Sequence, residues 1–328
     1  MTIKLSKQFV KHLLVTIAGL VLFTIFIFYG GLVSLNQFGR LKLAPLVGVF
    51  ITTFAITATI SIRWGILVNA LGEKRVAEWF EYYRYFIINR ILGFILPKDS
   101  TDLFGRALLL YRHHSLSLMR SGASVVFDRL FDLLTTFIFL FSAIPYWIGI
   151  VDINEGLCIM GLVSALLFAA IWLLYRPLFH FFIWASFRSE SLARYLPGFK
   201  KFSFNKDFLF LISKRVLFTT LLLSFFKFVF TSGRFVLITM ALGLSINPNL
   251  IVLATPLGQL TYLIAITPGG LGIIEAGWFG ILSIAGIDPE PTLLFVVGQR
   301  VLIVACISIL VIINQLTILI IVGKKIES

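Results

Sequence analysis

Two arginines lie inside apolar stretches, where a fixed positive charge is costly and therefore informative. Arg129 sits in Val125-Val126-Phe127-Asp128-Arg129-Leu130, with Asp132 one turn further on, and Arg300 sits in Val296-Val297-Gly298-Gln299-Arg300-Val301 with no adjacent acid. A charge at bilayer depth costs about 2.5–3.5 kcal/mol on insertion scales, so it is kept where a partner or a wet cavity receives it. Arginine also carries a planar fork that grips phosphate through two oxygens. Both arginines are therefore candidates for binding the anionic head group of a lipid. The alternative for Arg129 is an ion pair with Asp128 or Asp132 that ties helices together.

A second anion-binding element is the stretch Thr267-Pro268-Gly269-Gly270-Leu271-Gly272-Ile273-Ile274-Glu275-Ala276-Gly277. It places a proline, glycines and a carboxylate between apolar segments. Hydrocarbon offers nothing to the N–H and C=O groups freed by such a break, so it must line a cavity or bury against protein. A helix starting after Gly270 would aim its free amides and the positive end of its dipole at an anion, and Gly269, Gly270 and Gly272 would let a head group approach the backbone. Glu275 has two readings: it caps the first-turn amides of its own helix, or it is a proton-linked or amine-binding carboxylate. Arg63, Arg90, Arg106, Lys227 and Arg234 also lie in or near apolar segments, and Arg63, Arg106 and Lys227 are placed where they can snorkel to the interface.

The elements that must position these residues are membrane spans. Hydrophobic residues make up 59% of the 328-residue chain and charged residues 13%, and the mean hydropathy is +1.00. No soluble surface of this size could be built from that composition. The expected class is an all-α polytopic membrane protein in one integral membrane domain over residues 1–328. With roughly 20 apolar residues needed per crossing, about eight spans are expected, near 13–34, 44–68, 121–149, 156–175, 216–244, 250–267, 271–286 and 292–322. The apolar segment from Tyr85 to Leu96 is too short to cross and ends at Pro97, so it is expected to be a re-entrant half-helix. Lys4, Lys7 and Lys11 precede an apolar run too long for a signal-peptide core, which predicts a retained first span. Cys158 and Cys306 each lie in an apolar run and are expected to be packing residues.

The formal charge of +13 does not point to nucleic acid, because the basic residues fall in short segments between apolar spans. Arg188, Arg194, Lys200, Lys201, Lys206 and Lys214 crowd one connector, while the turns at Asp152 to Glu155 and Asp288 to Glu290 hold no base. The connector and both termini are therefore expected on the cytoplasmic side of a cell inner (plasma) membrane. Residues 177–211 are expected to lie on the inner leaflet as an interfacial segment, or else to form a solvated connector.

The two proline-broken regions repeat a spacing. Pro97 is followed 32 positions later by Arg129, and Pro268 by Arg300 at the same interval. The predicted topology runs the two arginine helices in opposite directions. Halves near 85–150 and 256–322 would then form an inverted repeat, a transporter arrangement in which broken helices meet near the midplane. The competing reading is chance likeness between apolar segments.

Asn89 through Pro97, Gly105-Arg106, Asp128-Arg129-Leu130-Phe131-Asp132 and Pro268-Gly269-Gly270-Leu271-Gly272-Ile273-Ile274-Glu275 together resemble the flippase-like transmembrane family of lysylphosphatidylglycerol synthases. The likeness covers nearly the whole chain. It implies an integral inner-membrane protein with re-entrant helices, related to the domain that moves aminoacylated phospholipid between leaflets, and it adds Asn89 and Arg106 to the head-group candidates. The chain departs from the family pattern before Arg106, where the family has Gly-Glu and this chain has Phe104-Gly105, so that a carboxylate is missing, and at Ile274, where the family often has a base. No segment is polar and long enough for the soluble aminoacyltransferase domain of the full synthase.

The expected function is translocation of an anionic phospholipid or a polyprenyl-phosphate-linked lipid, without an enzymatic step and without a cofactor or metal. A membrane-embedded transferase on such a lipid is the second reading. The stretch Leu35 to Leu43 has no carboxylate of the kind that lipid-phosphate glycosyltransferases need, and His12, His113, His114 and His180 form no metal-ligand or Cys–His constellation. A partner subunit of an envelope lipid-modifying enzyme is the third. The expected partners are membrane lipids and, on the third reading, such an enzyme, not nucleic acid.

Overall fold

The computed structural model describes residues 41–72, 75–95, 101–114, 116–174, 213–263, 267 and 269–326. Every regular element among them is helical: α1 (Leu43–Gly72), α2 (Trp79–Ile95), a π-helical turn (Thr101–Gly105) running into α3 (Arg106–His113), α4 (Leu118–Trp147), α5 (Ile153–Leu173), α6 (Lys214–Ala241), α7 (Pro248–Leu263), α8 (Ile273–Ile284) and α9 (Pro289–Ile326). The predicted first span, the interfacial segment 177–211, and the helix-breaking Pro97 and Pro268 lie outside the described residues.

Four helices are long and apolar enough to cross a membrane by length and composition: α1, α5, α6 and the Pro289–Thr317 part of α9. α4 has the length, at 30 residues, but carries Arg120, Asp128, Arg129 and Asp132. Two expected spans are shorter than expected. Residues near 250–267 and 271–286 form α7 and α8, of 16 and 12 residues, or roughly 24 and 18 Å at the α-helical rise, against a hydrocarbon core of about 30 Å. The physical reason is the glycine stretch between them, which ends one helix and restarts the next. Large apolar side chains such as Leu162, Leu166, Phe226, Ile284 and Ile312 are exposed on α5, α6, α8 and α9. Hydrocarbon is the solvent that suits such a surface. The chain is a polytopic membrane protein.

The longest helix pair is α1 against α6, which approach closely because small and hydroxylated residues face each other. Gly48 leaves a built Cβ only 3.0 Å from Leu237. Thr53, Ser61, Thr220 and Ser224 are buried and return their hydroxyl protons to carbonyls four residues back, at 2.7–2.9 Å. Each polar group is thus satisfied within its own helix, so the interface carries hydroxyls without unpaired donors.

α7 and α8 clasp each other through glycines. A Cβ on Gly258 would lie 2.3 Å from the Trp278 ring, and one on Gly277 would lie 2.1 Å from Thr261. Trp278 is fully buried and stacks edge-on to Phe235 of α6 and Phe295 of α9, with centroids 4.7 and 5.2 Å apart. This aromatic cluster anchors the short pair to two long helices. At the start of α5 the acids of the Asp152 turn act as caps: the Asp152 side chain accepts from Asn154 and Glu155 amides at 2.8 Å, and Glu155 accepts from the Asp152 amide at 3.3 Å. Cys306 is buried, as a packing residue should be, whereas Cys158 is exposed on α5.

Candidate functional site

Asp128 and Asp132 lie one turn apart on α4, so they face the same side and gather cations from three other helices. Arg63 of α1 donates from Nε to Asp128 Oδ1 at 2.8 Å, from Nη2 to the Asp128 carbonyl at 3.1 Å and to Asp132 Oδ1 at 2.7 Å, and from Nη1 to Ser224 Oγ at 2.8 Å. Arg106 of α3 donates to Asp128 Oδ2 at 2.9 Å and lies 5.0 Å over the Trp64 ring. Lys227 of α6 meets Asp132 Oδ1 at 2.6 Å. The Arg63 and Arg106 side chains and that of Asp128 are each 1% exposed.

This lattice corrects the snorkelling reading of Arg63, Arg106 and Lys227. All three turn inward, because two carboxylates on one helix face offer more than the distant interface does. Arg129 lines a cavity open to about 80 Å³ of water, together with Asp128, Asp132, Arg90, Lys227, Arg234, Gln259 and Tyr262. Roughly 10–15 Å³ of such volume holds one water, so the space takes a few waters or one small polar group.

Arg300 is built into the glycine break. Its Nη2 donates to the Gly269 carbonyl at 2.6 Å, its Nε stands 3.7 Å from Glu275 Oε1, and its guanidinium lies 5.7 Å from the Phe94 ring centre. Gly269, Gly270 and Gly272 all have positive φ, at 60°, 73° and 80°, the left-handed region that side chains resist. The turn is fixed by the Gly270 amide on the Thr267 carbonyl at 2.8 Å and by the Thr267 hydroxyl on the Leu271 carbonyl at 2.8 Å. Glu275, 1% exposed, accepts from the Gly272 amide at 2.8 Å through Oε2, while Oε1 faces Arg300 without a hydrogen bond. The capping reading of Glu275 therefore has a bond behind it, and its other oxygen serves Arg300.

Arg300 and Gly269 line a second, smaller cavity of about 30 Å³ with Asn89, Arg90, Phe94, Thr101, Arg234 and Tyr262. Asn89 donates to the Tyr85 carbonyl at 2.7 Å, and a Cβ on Gly105 would come within 1.8 Å of its amide oxygen. Gly105 thus lets α2 lie against the turn that presents Arg106. A true inverted repeat would bring Arg129 and Arg300 to one cavity. They line two adjoining cavities whose common wall is Arg90, Arg234 and Tyr262.

Arg90 and Arg234 are the residues whose importance sequence reasoning missed. Arg234 is 6% exposed, its Nε is buried without a hydrogen-bond partner, and neither arginine makes an ion pair among the described residues. A signal for Arg234 was present: Thr220, Ser224, Lys227, Thr231 and Arg234 recur at steps of four and three, a polar stripe down an otherwise apolar helix. Arg90 had no such stripe to flag it.

No curated protein and no solved structure matches the chain. A family model described as the lysylphosphatidylglycerol synthase TM region matches residues 9–310.

Proposed function

The chain belongs to the lysylphosphatidylglycerol synthase transmembrane family, and from that premise we propose that it is a translocator that takes the head group of an anionic lipid into the two adjoining cavities and passes it between leaflets. The observation that carries this reading is the common wall. Arg90 and Arg234 line both cavities, and neither makes an ion pair among the described residues, Asp128 and Asp132 being held by Arg63, Arg106 and Lys227. A positive charge kept at this depth without an internal partner is stabilised by an anion that visits.

In this reading the Asp128–Asp132 lattice holds α1, α3, α4 and α6 in register, so Asp128, Asp132 and Arg106 position the site. Arg129 offers a guanidinium in the larger cavity and Arg300 in the smaller, with Asn89 beside it. The glycines at 269, 270 and 272 leave backbone open to a head group, and Glu275 holds the break in shape. The small size of both cavities requires helices to part for a whole lipid to pass. An inverted repeat of halves 85–150 and 256–322 about the breaks at Pro97 and Pro268, within one membrane domain of about eight spans, would supply that motion by exchanging the roles of the two halves. Cytoplasmic termini in an inner membrane complete the proposal.

The test is leaflet exchange. Purified protein in phosphatidylcholine vesicles holding tail-labelled phosphatidylglycerol is exposed to an impermeant quencher. Exchange should exceed that of protein-free vesicles and fall by about tenfold or more in R129A and R300A, as loss of a charge-assisted contact implies. Full exchange in a folded R300A variant would overturn the proposal. Aminoacyl or glycosyl transfer on adding a donor, without exchange, would establish the transferase instead.

A further inference from the structure

The wall between the cavities states how much negative charge it needs. The carboxylates near it are already engaged: Asp128 by Arg63 and Arg106, Asp132 by Arg63 and Lys227, and Glu275 by the Gly272 amide and Arg300. Arg90 and Arg234 face the same space as two guanidinium groups that make no ion pair of their own among the described residues, with Asp128 and Asp132 lining the larger cavity but already engaged. Aromatic rings lie close to them, beside neutral polar groups such as Asn89 and Gln259. Arg234 lies 5.4 Å from the Phe235 ring, and Phe86 and Phe94 line one cavity each.

Resting on the translocator reading, we infer that this wall selects a lipid whose head group ends in a phosphate monoester, over a phosphodiester and against any head group bearing an ammonium. With Arg129 lining the larger cavity and Arg300 the smaller beside this shared pair, bases outnumber acids in both, so a head group with two negative charges is held better than one with a single charge. A terminal phosphate carries close to two near neutral pH and presents three strong acceptor oxygens, enough for a bidentate grip from each of two arginines with one oxygen shared. A phosphodiester has one charge and two free oxygens, so one arginine stays unmatched. An aminoacylated head group brings its own ammonium among fixed cations in a confined apolar setting, where like charges repel with little screening. The lipid after which the family is named is thus the poorest fit to this wall.

The experiment compares tail-labelled phosphatidic acid, phosphatidylglycerol and lysylated phosphatidylglycerol in phosphatidylcholine vesicles, each corrected for protein-free vesicles. At pH 8 phosphatidic acid should exchange about tenfold faster than phosphatidylglycerol, with the lysylated lipid slowest. Lowering the pH to 5 protonates the monoester, whose second pKa is about 6, and should bring the ratio close to one. Asp128 and Asp132 line the larger cavity, Glu275 stands behind Arg300, and Tyr262 and the basic residues face the same space; phosphatidylglycerol in the same vesicles carries any titration of theirs and cancels it in the ratio. R234Q should reduce the ratio at pH 8, and if it fails to fold, the pH series on the native protein decides.

Equal rates for the monoester and the diester, or a lead for the lysylated lipid, would overturn the selection and leave translocation standing. If no lipid exchanges, the melting midpoint in detergent with dihexanoyl lipids decides: stabilisation by the phosphatidic acid form alone rejects translocation and upholds the selection, and no stabilisation rejects both. Inorganic phosphate in the same melt identifies the source. Stabilisation by phosphate equal to that by the short-chain monoester would make the ligand a free oxyanion and overturn the lipid assignment; a much smaller shift supports it.

Discussion

Asp128 has each carboxylate oxygen occupied by a guanidinium, one from α1 and one from α3, whereas Arg300 rests on a backbone carbonyl and stands 3.7 Å from the carboxylate nearest it. The first region joins four helices through ion pairs, two carboxylates of α4 shared among three cations. The second fixes a bend in a single connection, using a carbonyl that has lost its helical partner. Removing a member of the first strands cations from other helices, while removing a member of the second loosens a local turn. The two regions thus divide the work: the lattice around α4 sets the frame, and the glycine break supplies the part of the site that can rearrange without dismantling it.

That division can be attacked in order of expected effect. D128A leaves Arg63 and Arg106 buried without their shared carboxylate and should cost about 3–5 kcal/mol, the range for breaking a buried pair from one side. The readout is the melting midpoint and the yield of monodisperse protein in detergent, and a midpoint unchanged from the parent would dissolve the distinction. G269A should come next. A side chain at φ of 60° is strained by about 1–2 kcal/mol, and its Cβ would sit 2.8 Å from Arg300 Nη2 and 3.1 Å from the Phe94 carbonyl. Here leaflet exchange should fall further than stability does, because Arg300 is displaced while the α4 lattice is untouched.

E275Q should do less. Its amide oxygen still accepts from the Gly272 amide, so stability should change by less than about 1 kcal/mol, and any change in exchange reports the charge beside Arg300. Smallest of all is the coupling between regions. Asp128 and Glu275 share no partner among the bonds described, so D128N and E275Q combined should add to within about 0.5 kcal/mol in thermal or denaturant unfolding. A larger coupling would mean that frame and break act as one unit.

Much of this arrangement was visible in the residues themselves. Apolar length identified α1, α5, α6 and α9, since hydrocarbon thickness dictates it. Proline and glycine marked the break, because a backbone interruption has a compositional signature. The family resemblance, carried by residues from Asn89 to Glu275, holds over residues 9–310. The partners of the charges were not visible. Arg63 lies 65 positions from Asp128, and Arg106 lies 22 positions from it. Nothing local distinguishes an arginine that snorkels from one that turns inward to a helix met only on folding. The joint wall of Arg90, Arg234 and Tyr262 was hidden for the same reason, since its members come from three helices.

The glycine clasp between α7 and α8 has a counterpart in a substitution map. Gly258 and Gly277 would drive a methyl group into Trp278 and Thr261, while Gly161, Gly233 and Gly280 have nothing within 4 Å of a built Cβ. Five glycines that look alike in an apolar helix therefore separate into two populations: one in which the missing side chain is the specification, and one in which alanine is tolerated or even preferred for its lower backbone entropy. A library of every single replacement would show the first two as blank columns and the other three as open ones, so the seam where the short helices meet could be read from tolerance alone.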